Sequence, residues 1–156
     1  MPVFERSIDI AAPIASAFAF HLDTRNAARI ASKGQEFVSI EGSFPLVQGG
    51  EVVLRVRMRP LPGVQEWRVR ITEVADPVLV VDELIKGPFA RFRHEHRFAP
   101  TADGGTRLTD RIEWALPGGP LGRLAEPVAR RLMERSFVER QAATKRILED
   151  DARRGA

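Results

Sequence analysis

The run Gly87-Pro88-Phe89-Ala90-Arg91-Phe92-Arg93-His94-Glu95-His96-Arg97-Phe98 decides how this chain is read. In an extended strand alternate side chains point to opposite faces, so Ala90, Phe92, His94, His96 and Phe98 share one face and Arg91, Arg93, Glu95 and Arg97 the other. Two imidazoles therefore stand among aromatic rings. The answering run, Thr106 to Leu116, puts Leu108, Ile112, Trp114 and Leu116 on an apolar face and places one carboxylate, Asp110, among them. A hairpin turned at Ala102 to Gly105 brings Asp110 opposite His94 if Phe98 faces Thr106, and opposite His96 if the register slips by two.

Working outward, the same alternation recurs. Val3 to Ile10 sets Phe4, Ile8 and Ile10 against Glu5, Ser7 and Asp9, and Pro13 then opens a short helix over Ile14 to His21. A second short helix is expected over Asn26 to Ser32. Strands are expected over Phe37 to Phe44, Glu51 to Arg59, Gln65 to Val74 and Val78 to Ile85, each closed by Pro or Gly turns. After Pro117 to Pro120 a helical pattern runs to about Asp151, with Pro127 either kinking it or marking its first turn. Leu121, Leu124, Ala125, Val128 and Leu132 form its apolar stripe; Met133 and Phe137 fall off that stripe and are free to meet a loop or a second subunit. The order is strand, two short helices, six strands, long helix. Tight turns make the sheet an antiparallel meander, and the amphipathic helix is left to cover it. One helix cannot cover seven curved strands, so an α+β fold with a hollow between sheet and helix is expected.

The 156 residues fit one domain spanning 1–156, long enough to bury roughly 70% of the surface of the unfolded chain. With 44% hydrophobic and 29% charged residues the composition is that of a globular protein. Cysteine is absent, which removes disulfide and thiolate chemistry, and no signal-like start or membrane-length apolar run is present. A cytoplasmic location is expected. The net charge is only +3, since 24 basic residues meet 21 acidic ones.

Several of these features occur together in a known family. Val3 to Ile10 followed by Ala12-Pro13 and a helix with Phe18 and Phe20, Gly87-Pro88-Phe89 leading into Phe92-x-His94-x-His96-x-Phe98, Gly105-Thr106-x-Leu108-x-Asp110, and Pro117-x-Gly119-Pro120-Leu121-Gly122 before a long helix resemble the START-related helix-grip (SRPBCC) superfamily. Within it the chain is similar to the bacterial polyketide cyclase/dehydrase-like, ligand-binding branch. The resemblance implies a seven-stranded antiparallel sheet gripping the C-terminal helix around an apolar ligand cavity. It carries over no catalytic residue set, because members range from lipid carriers to cyclases.

The expected lining is Trp67, Phe92, His94, His96, Asp110 and Trp114. In this reading the rings bury a small hydrophobic lipid-, quinone- or polyketide-like molecule, and a histidine oriented by Asp110 meets its polar atom. Binding or carriage is favoured over catalysis. The alternative is a cyclase or dehydratase in which His94 or His96 moves a proton with Asp110 behind it. His94-x-His96 with a nearby acid also fits a metal triad, but no second carboxylate or third histidine is placed and His21 is only loosely located, so no metal and no cofactor is assigned. Glu83 is expected to face outward. Arg55, Arg57, Arg59, Arg68, Arg70, Arg91, Arg93, Arg97, Arg107 and Arg111 project from the opposite side of the sheet, against Glu66, Glu95 and Glu113. That face suits nucleic acid, an anionic membrane or an acidic partner only if it is unneutralised, and it lacks the interleaved aromatics of a nucleic-acid binder, so a solvated surface is favoured. Association of two chains, if it occurs, is expected through the C-terminal helix.

Overall fold

The computed structural model describes residues Met1–Ala156. The elements are β1 (Val3–Ile10), α1 (Ile14–His21), a 3-10 turn (Thr24–Ala28), β2 (Gln35–Glu41), β3 (Glu51–Met58), β4 (Gln65–Ala75), β5 (Leu79–Lys86), β6 (Arg91–Pro100), β7 (Thr106–Ala115) and α2 (Pro120–Gly155). All seven strands form one antiparallel sheet in the order β1-β7-β6-β5-β4-β3-β2. This is the antiparallel meander that the alternation of apolar and charged residues implies, in the helix-grip arrangement that the family resemblance implies. The second short helix is the 3-10 turn at Thr24–Ala28, started by the Asp23 carboxylate, which accepts from the Arg25 backbone N–H at 3.0 Å.

Register follows from which face each strand must bury. Between β6 and β7, His96 stands opposite Asp110, Phe98 opposite Leu108 and Phe92 opposite Trp114, which is the slipped of the two registers considered. Between β5 and β6, Asp82 stands opposite His94 and Val80 opposite His96. The concave side gathers Ile10, Ala17, Phe18, Val52, Val69, Ile71, Val80, Phe98 and Leu108 with Leu148 of α2 into the main core. A second cluster, Phe4, Ile112, Trp114, Met133 and Phe137, fills the space beneath the middle of α2, with Phe89, Phe92 and Ala129 against it.

The long helix corrects the sequence expectation in three ways. Its 36 residues span about 54 Å and continue through Pro127, whose ring replaces one backbone hydrogen bond without ending the helix. The helical ladder also continues past Asp151 to Gly155. Most important, the buried side chains are Met133, Phe137, Gln141, Thr144 and Leu148, whereas Leu121, Leu124 and Val128 are 77%, 78% and 64% exposed. At 100° per residue Leu121 and Phe137 are 160° apart around the axis, so the two apolar stripes lie on opposite sides of one helix. Phe4 and His94 select the second stripe: their rings lie 5.5 Å and 5.4 Å from that of Phe137.

On the convex side carboxylates of neighbouring strands, and of the same strand for Glu95 and Glu113, neutralise most of the arginines. Arg57 meets Glu36 at 3.1 Å, Arg70 meets Glu51 at 2.7 Å, Arg107 meets Asp9 at 2.7 Å and Arg111 meets Glu113 at 2.6 Å. Arg55 lies between Glu41 and Glu66, and Arg93 and Arg97 both hold the buried Glu95. Glu83 faces outward as expected, 3.2 Å from Arg93.

The two stripes of α2 separate cleanly by mutation. Phe137→Ala is expected to cost about 3–5 kcal/mol in urea unfolding, as for other buried Phe truncations, whereas Leu124→Ala should stay within about 0.5 kcal/mol of the parent, as surface changes do.

Candidate functional site

The two histidines of β6 and the carboxylate of β7 meet where the register puts them. His94 Nε2 donates to Asp110 Oδ1 at 2.9 Å, and His96 Nδ1 lies 2.9 Å from the same oxygen, though off the line of a straight hydrogen bond. Gln141 Nε2, from α2, donates to the other oxygen, Oδ2, at 2.7 Å and also to the backbone carbonyl of Arg6 in β1 at 3.0 Å. One carboxylate thus collects groups from β6 and α2, and β1 joins through Gln141. Burial would raise the Asp110 carboxyl, but the hydrogen bonds from His94 and His96 outweigh it and hold the group well below its ordinary value. Asp110 is an ionised anchor rather than an acid.

Each imidazole has its second nitrogen on the opposite side of the ring. His94 Nδ1 and His96 Nε2 both face Asp82 Oδ2, at 3.8 Å and 3.7 Å. Burial pushes the Asp82 carboxyl up to about 6, opposed by His96 and Arg140. Burial likewise lowers the His96 imidazole, with His94 adding to the effect. The two rings lie 3.9 Å apart, and His21, at the end of α1, packs 4.9 Å from His96 and 5.0 Å from Phe98. His21 Nδ1 donates to the Ala17 carbonyl at 2.7 Å, which leaves Nε2 as the ring's acceptor, and burial pushes its pKa down to about 3. From α2, the Arg140 guanidinium stacks over Phe137 at 5.0 Å, has no carboxylate within 4.0 Å, and is lowered from its usual value by burial against the pull of Asp110 and Asp82.

Beside this polar group runs an aromatic wall. Trp67 packs on Phe89 and Phe92 at 5.5 Å and 5.4 Å, Phe89 on Trp114 at 6.2 Å, and Phe92 on His94 at 6.3 Å. Trp114 is fully buried, whereas Trp67, Phe89 and Phe92 are only partly covered. The indole N–H groups of both tryptophans have no hydrogen-bond partner. Two surface clefts lie away from this site, one at Ser7, Ile8, Asp9 and Arg107, the other around Gly34 to Glu36 and Arg57 to Arg59.

All six residues expected from sequence to line the hollow are therefore on the concave side and contiguous. Both histidines reach Asp110, so the choice between them does not arise. Sequence reading missed Asp82, Arg140, Gln141 and the placement of His21. Asp82 had a signal: in the doublet Asp82-Glu83 one residue must face inward, and a cross-strand pair between Glu83 and Arg93 leaves Asp82 as that residue. Arg140 and Gln141 were hidden by the choice of helix face.

Residues 1–149 match the family model described as polyketide cyclase / dehydrase and lipid transport. The chain belongs to this family. Among solved structures, the chain is similar to protein CV1439 from Chromobacterium violaceum (11% identity, TM-score 0.75, 96% of this chain and 99% of that one). It is also similar to the Zhui aromatase/cyclase from Streptomyces sp. R1128 (18%, 0.69, 98% and 94%). A third similar structure is the di-domain aromatase/cyclase StfQ of the steffimycin biosynthetic pathway (14%, 0.77, 99% of this chain and 52% of that one). At these identities the likeness is one of fold. No curated protein matches the sequence. No helix is long and apolar enough to cross a membrane.

A buried carboxylate with several donors is costly to break. Asp110→Ala is expected to destabilise the protein by about 3–5 kcal/mol, in the range for removing one partner of a buried charged group, and Gln141→Ala by about 1–3 kcal/mol, the cost of leaving a buried polar group unpaired. Chemical denaturation with an unchanged m-value would measure both.

Proposed function

We propose that this polyketide cyclase/dehydrase-family chain binds a small, flat, mainly apolar molecule bearing oxygen at one end, of the quinone or polyketide type. The observation that carries the reading is the junction at Phe92 and His94, where partly covered aromatic rings pass directly into a fixed polar group. Rings of Trp67, Phe89 and Phe92 supply area for stacking, worth about 0.5–1.5 kcal/mol per aromatic pair beyond burial. His94 and His96, with one nitrogen of each turned to Asp110, present the other toward the same space as Asp82. Arg140 adds a guanidinium free to meet a carbonyl or anionic oxygen. An acyl-chain lipid would use the apolar wall but not this concentration of donors and acceptors. A planar oxygenated ring system uses both.

The same nitrogens support a second reading. An imidazole whose proton is engaged by Asp110 offers a lone pair on its far side, which is what a base needs to take a proton during cyclisation or dehydration. The named aromatase/cyclase structures share this fold, so the reading is worth testing on this chain's own residues.

With only two tryptophans, and Trp67 in the wall, intrinsic fluorescence reports binding directly. A hydroxynaphthoquinone titrated into the protein is expected to quench emission saturably at one site, with affinity at least about tenfold weaker in Phe92→Ala, as expected when one aromatic contact and its buried area are lost. Linear, unsaturable quenching that Phe92→Ala leaves unchanged would overturn the binding reading. For catalysis, turnover of a poly-β-ketone substrate should fall at least about 100-fold in His94→Gln or His96→Gln; unchanged turnover in both would remove it.

A further inference from the structure

The gap between Asp82 and the two histidines has the chemistry of a metal site. In a neutral imidazole only one nitrogen carries a proton, and the nitrogen beside a carboxylate is the one that must. His94 Nε2 and His96 Nδ1 both lie 2.9 Å from Asp110 Oδ1, so the lone pairs sit on His94 Nδ1 and His96 Nε2. Both of these face Asp82 Oδ2, at 3.8 Å and 3.7 Å. Two lone pairs directed at one carboxylate oxygen repel it. These separations are also too long for a hydrogen bond, so a proton on Asp82 does not resolve the arrangement, and it could serve only one ring.

A divalent cation resolves both contacts together. Four ligands on a tetrahedron with bonds of roughly 2.1 Å stand about 3.4 Å apart, so the two measured separations need to close by only a few tenths of an ångström. One donor atom from each of Asp82, His94 and His96 lies within 4.8 Å of the other two. We propose that Asp82 Oδ2, His94 Nδ1 and His96 Nε2 bind a first-row divalent transition ion, with Asp110 as the carboxylate that sets both imidazole tautomers from behind. No metal is assigned from sequence because no second carboxylate is placed beside the two histidines there; β5 supplies Asp82 through register.

The surroundings support that assignment. Metal-binding histidines typically give their other N–H to a carboxylate, and here a single carboxylate serves both and is itself held by Gln141 at 2.7 Å. Two imidazoles and one carboxylate suit Zn²⁺ or Fe²⁺ rather than Mg²⁺ or Ca²⁺, which prefer all-oxygen sites. Only three protein ligands are supplied by the triad, so coordination positions remain open. His21, whose Nε2 is unengaged, is the nearest further nitrogen donor. Two carboxylates, Asp82 and Asp110, face one guanidinium, Arg140; a divalent ion turns this net negative charge into a net positive one. The site would then favour an anionic oxygen such as an enolate or phenolate.

This inference shares a site with the proposed ligand but not its test. Untagged protein stripped with chelator and exchanged into chelator-free buffer is titrated with Co²⁺ and with Zn²⁺, with no organic molecule present. One ion per chain is expected, with intense visible Co²⁺ absorption of a low-coordinate site. Asp82→Asn and His96→Gln should each weaken binding at least about 100-fold, and Asp110→Asn by about 10–100-fold, the range for groups behind a metal ligand. Absence of saturable binding, or equal binding by Asp82→Asn and His96→Gln, overturns the proposal. Should a variant not fold, ¹⁵N NMR of the wild-type histidine rings decides: Zn²⁺ must move His94 Nδ1 and His96 Nε2 far more than the nitrogens facing Asp110, and an unselective or absent response counts against it. Quinone binding that persists in chelator while the metal titration fails removes the ion and leaves the ligand; the reverse result removes the ligand and leaves the ion.

Discussion

The Asp110 carboxylate is the constraint on which the concave face depends. A buried anion is tolerable only where several donors converge on it, and here they come from β6 through His94 and His96 and from α2 through Gln141. Gln141 also bonds the Arg6 carbonyl, so β1 joins the same group. Slipping β6 against β7 by two residues would put His94 rather than His96 opposite Asp110, so the spaced histidine pair keeps an imidazole across from the carboxylate in either register. Whatever chemistry the site performs, the geometry of both imidazoles is set from behind before any ligand arrives.

That dependence also explains what could be read in advance. Strand identity and facing follow from period-two alternation, and Phe92, His94, His96, Phe98, Asp110 and Trp114 could be placed on one wall because parity within a hairpin is unaffected by a two-residue slip. Register itself was not legible, since Phe98 packs acceptably opposite either Thr106 or Leu108. Asp82 was obscured by its neighbour Glu83, because each carboxylate fits either face until Arg93 is known to lie across from Glu83. The helix failed for a different reason. It carries two apolar stripes on opposite sides, and sequence offers no rule for choosing between Leu124 and Phe137 until Phe4 and His94 are present to receive one of them.

The convex face shows the same limit with charge. Counting side chains along single strands leaves the arginines in excess, but the carboxylates that balance them stand on neighbouring strands: Glu36 and Glu41 of β2, Glu51 of β3, Asp9 of β1. Arg59, Arg68 and Arg91 alone among the ten have no carboxylate within 4.0 Å. Exposed pairs of this kind contribute little stability each, typically under about 1 kcal/mol. What they remove is the long-range field that would draw a polyanion to the sheet.

The order of the sheet also bears on how the chain is made. From β3 to β7 every strand lies beside its predecessor in sequence, so each hairpin can close as it leaves the ribosome. β1 is the exception. Its sole strand partner is β7, and α2, which packs over it, comes later still. On the order of 100 residues must therefore be added before β1 can dock, which at typical synthesis rates means roughly 5–20 s. Throughout that interval Phe4, Ile8 and Ile10 have no native strand to pair with.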